Sequence, residues 1–120
     1  MGKIQKFEDL EIWQDARRLS KEIIFISKNT DLNKDFKFNA QIKDSSGSVM
    51  DNIAEGFERE TKKELIRFLY FSKGSAGECR NMFNFLQLLE YINEENFYNH
   101  RNDVLEISKQ LGNYIKYLKN

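Results

Sequence analysis

No proline interrupts this chain, and its 120 residues include one cysteine, one histidine and six glycines. A single cysteine excludes a disulfide framework and a multi-cysteine zinc site. A single histidine excludes most histidine-based metal clusters. An excess of charge is also missing, since 19 Lys and Arg balance 19 Asp and Glu. Residues 1–60 carry ten basic and twelve acidic side chains, and residues 61–120 carry nine and seven. A strongly electrostatic nucleic-acid binder usually shows a basic excess; none is present globally, and only a local basic patch is left open. The apolar run Ile23 to Ile26 is far short of a membrane span. Met1 to Glu8 contains no apolar leader core. These features lead us to expect a soluble, cytoplasmic protein forming a single domain over residues 1–120, large enough to bury a core without metal or disulfide staples.

The absence of proline permits long helices, and the spacing of apolar residues predicts them. Ile12, Ala16, Leu19, Ile23 and Ile26 alternate steps of four and three, beside a second stripe of Trp13, Ser20 and Ile24. With Asp9 as N-cap and Asn29, Thr30 and Asp31 as a stop cluster, the first helix is expected over Asp9 to Asn29. Phe38, Ile42, Ser45, Val49, Asn52 and Gly56 continue the alternation. The Ser45 to Ser48 tetrapeptide is locally a turn signal, but the seam stays in phase across it, so one helix is expected from Asn33 to Phe57. Leu65, Phe68, Ser72, Ser75, Cys79, Met82, Leu86 and Leu89 predict a third helix from Lys62 to Tyr91, opened by a Thr61 to Glu64 capping box. Phe97, Arg101, Val104, Ser108, Leu111, Ile115 and Leu118 predict a fourth from Glu94 to Leu118, capped by Asn93. Short links force antiparallel neighbours, so the expected fold is all-α, an up-down-up-down four-helix bundle.

With residues 58–61 as the corner of an antiparallel hairpin, facing positions on the second and third helices should sum to about 119. This places Ser45 opposite Gly74, Ser48 near Phe71 and Gln41 near Glu78. Gly47, Gly74 and Gly77 inside helices cost helix stability, which tight packing at a narrow waist would offset; close contact with a neighbouring subunit is the alternative. Asn52, Glu55 and Arg59, spaced three and four, share one face and are expected to form a structural hydrogen-bond network. They offer an amide, a carboxylate and a guanidinium with no His or Cys nearby, where catalysis needs a nucleophile, a base and an oxyanion site together.

The residues Gln41, Asn52-Ile53-Ala54-Glu55-Gly56, Arg59, Phe68-Leu69, Gly74-Ser75 and Glu78, with Phe7, Leu10, Trp13 and Ala16 upstream, resemble the signature of the bacterial four-helix-bundle proteins, also called 23S rRNA-intervening-sequence proteins. The resemblance covers about residues 7 to 92; Asn33 and Lys34 stand where many members have proline. It implies an antiparallel bundle that assembles as a ring-like homopentamer, with Gln41, Asn52, Glu55, Gly56, Arg59, Gly74, Ser75 and Glu78 as its structural signature. Members are encoded within large-subunit ribosomal RNA genes or scattered elsewhere, and most have no established biochemical activity. A similar protein, the accessory variability determinant of diversity-generating retroelements, binds a reverse transcriptase and nucleic acid through a basic pentamer surface.

Independently of that likeness, the helices carry surplus apolar surface: Ile66, Phe71, Phe85 and Leu88 on the third and Ile107, Tyr114 and Tyr117 on the fourth. Aromatic residues make up 13% of the chain, an interface signature that predicts a homo-oligomer. Arg59, Lys62, Lys63 and Arg67 form the densest basic cluster, the candidate contact for RNA or DNA, since repetition around a ring makes a weak patch multivalent. Arg17, Arg18, Lys21 and Lys28 interleave with Asp15 and Glu22, which reads as a solvated, ion-paired face. His100 lacks the acid three residues earlier that a di-metal bundle needs and is expected to be solvated. Cys79 is expected to be buried and inert. No catalytic residue, cofactor, metal site, small-molecule substrate or membrane association is expected. Two function classes remain: a non-enzymatic oligomeric scaffold, and a nucleic-acid-binding accessory factor acting with a reverse transcriptase or RNA.

Overall fold

Where each helix begins depends on which side chain can reach the unpaired amides of its first turn. The computed structural model describes residues 3–120; Met1 and Gly2, part of the leader-free reading, lie outside them. α1 spans Glu11–Asn29 and starts after a 3₁₀ turn, Phe7–Asp9, with Leu10 in the cap position and no side-chain cap bond. Asp9 is therefore part of the preceding turn and not the N-cap. At the other end Asn29 donates to the Phe25 carbonyl, and the Thr30 hydroxyl donates to the Ile26 carbonyl while accepting from the Leu32 amide. A second 3₁₀ turn, Asp31–Lys34, buries Leu32 and delays α2 to Phe36–Glu58, three residues later than expected. Asp35 caps it, accepting from the Phe38 amide at 3.5 Å.

The Ser45 to Ser48 stretch stays helical. Ser45 and Ser46 donate their hydroxyls to the Ile42 and Lys43 carbonyls, so they no longer compete for a turn. α3 spans Lys62–Leu88, with Thr61 accepting from the Glu64 amide at 3.2 Å. It ends three residues before Tyr91 because Glu90 takes a left-handed conformation, φ 64°, while the Tyr91 amide bonds back to the Leu86 carbonyl and the Glu90 amide to that of Gln87. That pair of bonds closes the helix as a Schellman motif. α4 spans Glu94–Lys119, capped by Asn93, whose side chain accepts from the Asn96 amide at 2.8 Å.

The four helices pack in antiparallel sequence around one core, with overall extents of 44 × 24 × 21 Å. Every regular element among the described residues is helical, and none of the helices is long and apolar enough to cross a membrane. The expected seam of α1 is buried throughout, at Ile12, Ala16, Leu19, Ile23 and Ile26. Ile42, Val49, Ile53, Leu69, Met82, Phe83, Leu86, Val104 and Leu111 fill the centre. Each such side chain contributes about 1.5–3 kcal/mol relative to exposure. Ile107, expected among the surplus apolar residues, belongs to this core, and Ile66 and Tyr114 pack against it.

Candidate interaction surface

α2 and α3 meet along a strip of small side chains. Ser48 Oγ lies 2.9 Å from Ser75 Oγ, and buried Ser72 donates to the Val49 carbonyl at 2.8 Å. Asn52 Nδ2 donates to the Ser48 carbonyl at 2.8 Å and to its hydroxyl at 3.0 Å. A Cβ on Gly56 would stand 2.8 Å from Phe68 Cβ, so glycine sets the closest approach of the two backbones. These pairs, Val49 with Ser72, Ser48 with Ser75 and Gly56 with Phe68, sum to between 121 and 124 and not to 119. Ser48 therefore meets Ser75 and not Phe71. The offset follows from side-chain direction. Cβ atoms lean toward the helix N-terminus, so a given level is covered by a residue about one position C-terminal on each helix, which adds about two to the sum.

The expected network of Asn52, Glu55 and Arg59 divides in two. Asn52 joins Ser75 through Ser48. Glu55 and Arg59 form a separate surface ion pair at 2.9 Å. The Arg59 guanidinium also lies over the Phe68 ring at 4.8 Å from its centre. Arg67 approaches Phe68 and Phe71 at 5.4 and 5.1 Å and pairs with Glu64 at 3.3 Å. Both arginines of the basic corner thus have an acidic partner, while Lys62 and Lys63 point to solvent. Ser48 and Ser72 join the network beyond the three residues expected. Ser48 lies four residues before Asn52, which is the spacing that would have placed it on the same face.

The remaining signature residues have no such role within the chain. Gln41, Gly74 and Glu78 are exposed. A Cβ on Gly47, Gly74 or Gly77 would meet nothing within 4 Å, so these glycines do not form a narrow waist; Gly56 and the serines do. At 100° per residue, Gln41, Asn52 and Glu55 fall on one stripe of α2, with Arg59 just past its end, and Arg67, Phe71, Gly74, Glu78 and Phe85 on one stripe of α3. The Ser48 to Ser75 bond sets the two stripes side by side. Phe71, Phe85 and Leu88 are 46%, 39% and 77% exposed, so this outer face is partly apolar as well as partly bare backbone.

Cys79 is buried, and burial pushes its thiol pKa to about 12 despite a hydrogen bond with Ser45. His100 is not solvated. Its ring stacks on Phe83 at 5.0 Å with an interplanar angle of 8°, and its Nδ1 lies 3.4 Å from Glu22 Oε2. The cause is a second seam on α4, His100, Val104, Ile107 and Leu111, which alternates four and three as regularly as the one expected. On α1, Arg18 pairs with Asp15 at 2.7 Å, while Glu22 turns to His100.

An antiparallel four-helix bundle, with a serine- and asparagine-bonded central hairpin and a signature that points outward, is the class of protein these observations define. The chain belongs to the 23S rRNA-intervening sequence protein family, whose model matches residues 8–113. It is also similar to a crystallised protein of unknown function from the S23 ribosomal protein family of Bacteroides thetaiotaomicron. That structure shares 26% identity and a TM-score of 0.78, over 88% of this chain and 98% of that one. No curated protein matches the chain.

Proposed function

We propose that this chain is a non-enzymatic homo-oligomeric scaffold whose copies associate through the outer face of the α2–α3 hairpin, and whose assembled surface engages another macromolecule. The supporting observation is that Phe71 and Phe85 flank a glycine, Gly74, with open space above its Cα, on a helix face the chain itself leaves uncovered. Exposed aromatic surface beside small residues favours close helix-to-helix approach between copies. A homopentamer is the number the family resemblance implies. The lone thiol is held protonated by burial, which argues against a cysteine nucleophile. A nucleic-acid role has weaker support, because Arg59 and Arg67 each spend their charge on a carboxylate.

Light scattering on the intact chain tests this reading. The expected mass is about five times 14.3 kDa. Gly74→Arg and Phe71→Glu should lower it while helicity by circular dichroism is retained, since both positions are exposed. A wild-type monomer, or unchanged mass in both variants, overturns it. RNA titration at two salt concentrations separates the function classes. Strong salt-dependent binding lost on Lys62→Glu with Lys63→Glu would favour the accessory-factor reading instead.

A further inference from the structure

Away from the hairpin, α1 and α4 close the bundle without a connecting loop, and between them lies a cleft of about 190 Å³. Four carboxylates, Asp15, Glu22, Asp103 and Glu106, line it against one guanidinium, Arg18. Arg18 is committed to Asp15, and Gln110 donates to Asp15 and Glu106. Glu22 and Asp103 are left facing His100. One ligand-type atom from each of Glu22, His100 and Asp103 lies within 4.8 Å of the others. His100 Nδ1 and Glu22 Oε2 are both shielded from solvent, and neither has a hydrogen-bond partner. The two atoms, 3.4 Å apart on different helices, form an ion pair only when the imidazole is protonated; with a neutral ring carrying its proton on Nε2, both present lone pairs to the same spot, which a cation between them would satisfy. Phe83 fixes the plane of the imidazole by stacking on it, with Nδ1 on the Glu22 side.

We infer that Glu22, His100 and Asp103 bind a divalent transition-metal ion of the zinc type, which cross-links α1 to α4. One imidazole nitrogen and two carboxylate oxygens are the ligand types such ions take at about 2.0–2.2 Å, and ligation requires the three atoms, which lie within 4.8 Å of one another, to draw together around the ion. The carboxylates and the imidazole sit on one turn of α4 (His100 and Asp103) and the facing turn of α1 (Glu22), so the ion ties the chain's first helix to its last. Three protein ligands leave a further position for water. Cys79, buried with its thiol protonated, is not a competing ligand.

Calorimetric titration of the intact chain with zinc chloride, and cobalt chloride as a spectroscopic probe, tests the site. One zinc ion per chain is expected, with visible cobalt bands and a melting temperature raised by roughly 10 °C at a hundredfold excess over Kd. His100→Gln, Glu22→Gln and Asp103→Asn should each weaken uptake by at least the roughly 10–100-fold seen on losing an outer-shell partner. Cys79→Ser should leave it unchanged. Glu22→Gln and Asp103→Asn alter partly or fully exposed side chains and keep the test decisive should His100→Gln disturb the Phe83 stack. Absence of zinc uptake, or uptake undiminished in the two carboxamide variants, overturns the inference.

Discussion

Ser48 on α2 and Ser75 on α3 share a hydrogen bond of 2.9 Å across 27 residues of sequence, and Asn52 holds Ser48 in place from one turn below. Asn52→Leu removes two donated bonds and leaves Ser48 to orient itself. Each such bond contributes about 1 kcal/mol, so denaturant titration should show a loss of about 1–2 kcal/mol. Arg59→Ala breaks an exposed pair, and a loss below about 1 kcal/mol is expected. If the two variants proved equally destabilised, Glu55 and Arg59 would belong to the interior network after all.

The glycines supply a sharper contrast. Alanine is the better helix former by about 1 kcal/mol, so Gly47→Ala, where nothing lies within 4 Å of the added carbon, should stabilise by up to that amount. Gly56→Ala drives the same carbon to 2.8 Å from Phe68 Cβ and 3.3 Å from Leu65 Cδ1. Overpacking of this kind costs about 1–3 kcal/mol, more than the helix propensity returns. Melting curves of the two variants should therefore move in opposite directions.

The four helices and the α1 seam are legible from periodicity because burial follows the 3.6-residue repeat wherever neighbours are regular. What periodicity does not carry is the choice among adjacent stripes. α4 has two equally regular seams, and only the packing of its neighbours, α3 through Phe83 and α1 through Glu22, turns His100 inward. The start of α2 departs from its periodic bound for a local reason: Leu32 is buried in a 3₁₀ turn, which shifts the helix to begin at Phe36. Of the hairpin signature, Asn52, Ser75 and Gly56 find intramolecular roles. Gln41, Gly74 and Glu78 find none and are exposed.

Glu90 occupies a position that favours glycine. Its φ of 64° is a left-handed conformation that costs an ordinary L-residue about 1–2 kcal/mol, and its side chain is exposed. Glu90→Gly removes that strain, with greater chain entropy in the unfolded state as the opposing effect. A net gain of about 0.5–1 kcal/mol is expected, read as a higher urea midpoint at unchanged slope. A lower midpoint would mean that the carboxylate does something beyond ending α3.

Cys79 links the core to alkaline stability. Its thiol pKa rises from 9.0 to about 12, chiefly through burial, so the folded chain keeps a proton that the unfolded chain releases. A group raised on folding contributes stability in full below its unfolded pKa and loses that contribution as pH rises toward the folded value. The window is therefore pH 9 to 12, and the loss across it is on the order of a few kcal/mol. Lysines and tyrosines also titrate there, so Cys79→Ala is the reference. The wild type should lose stability more steeply than the variant above pH 9, and the two should run parallel below it. In the same way, iodoacetamide at neutral pH should modify the thiol only at the rate of unfolding. Rapid labelling of the native chain would show that the α2–α3 contact around Ser45 and Cys79 opens without the rest of the bundle.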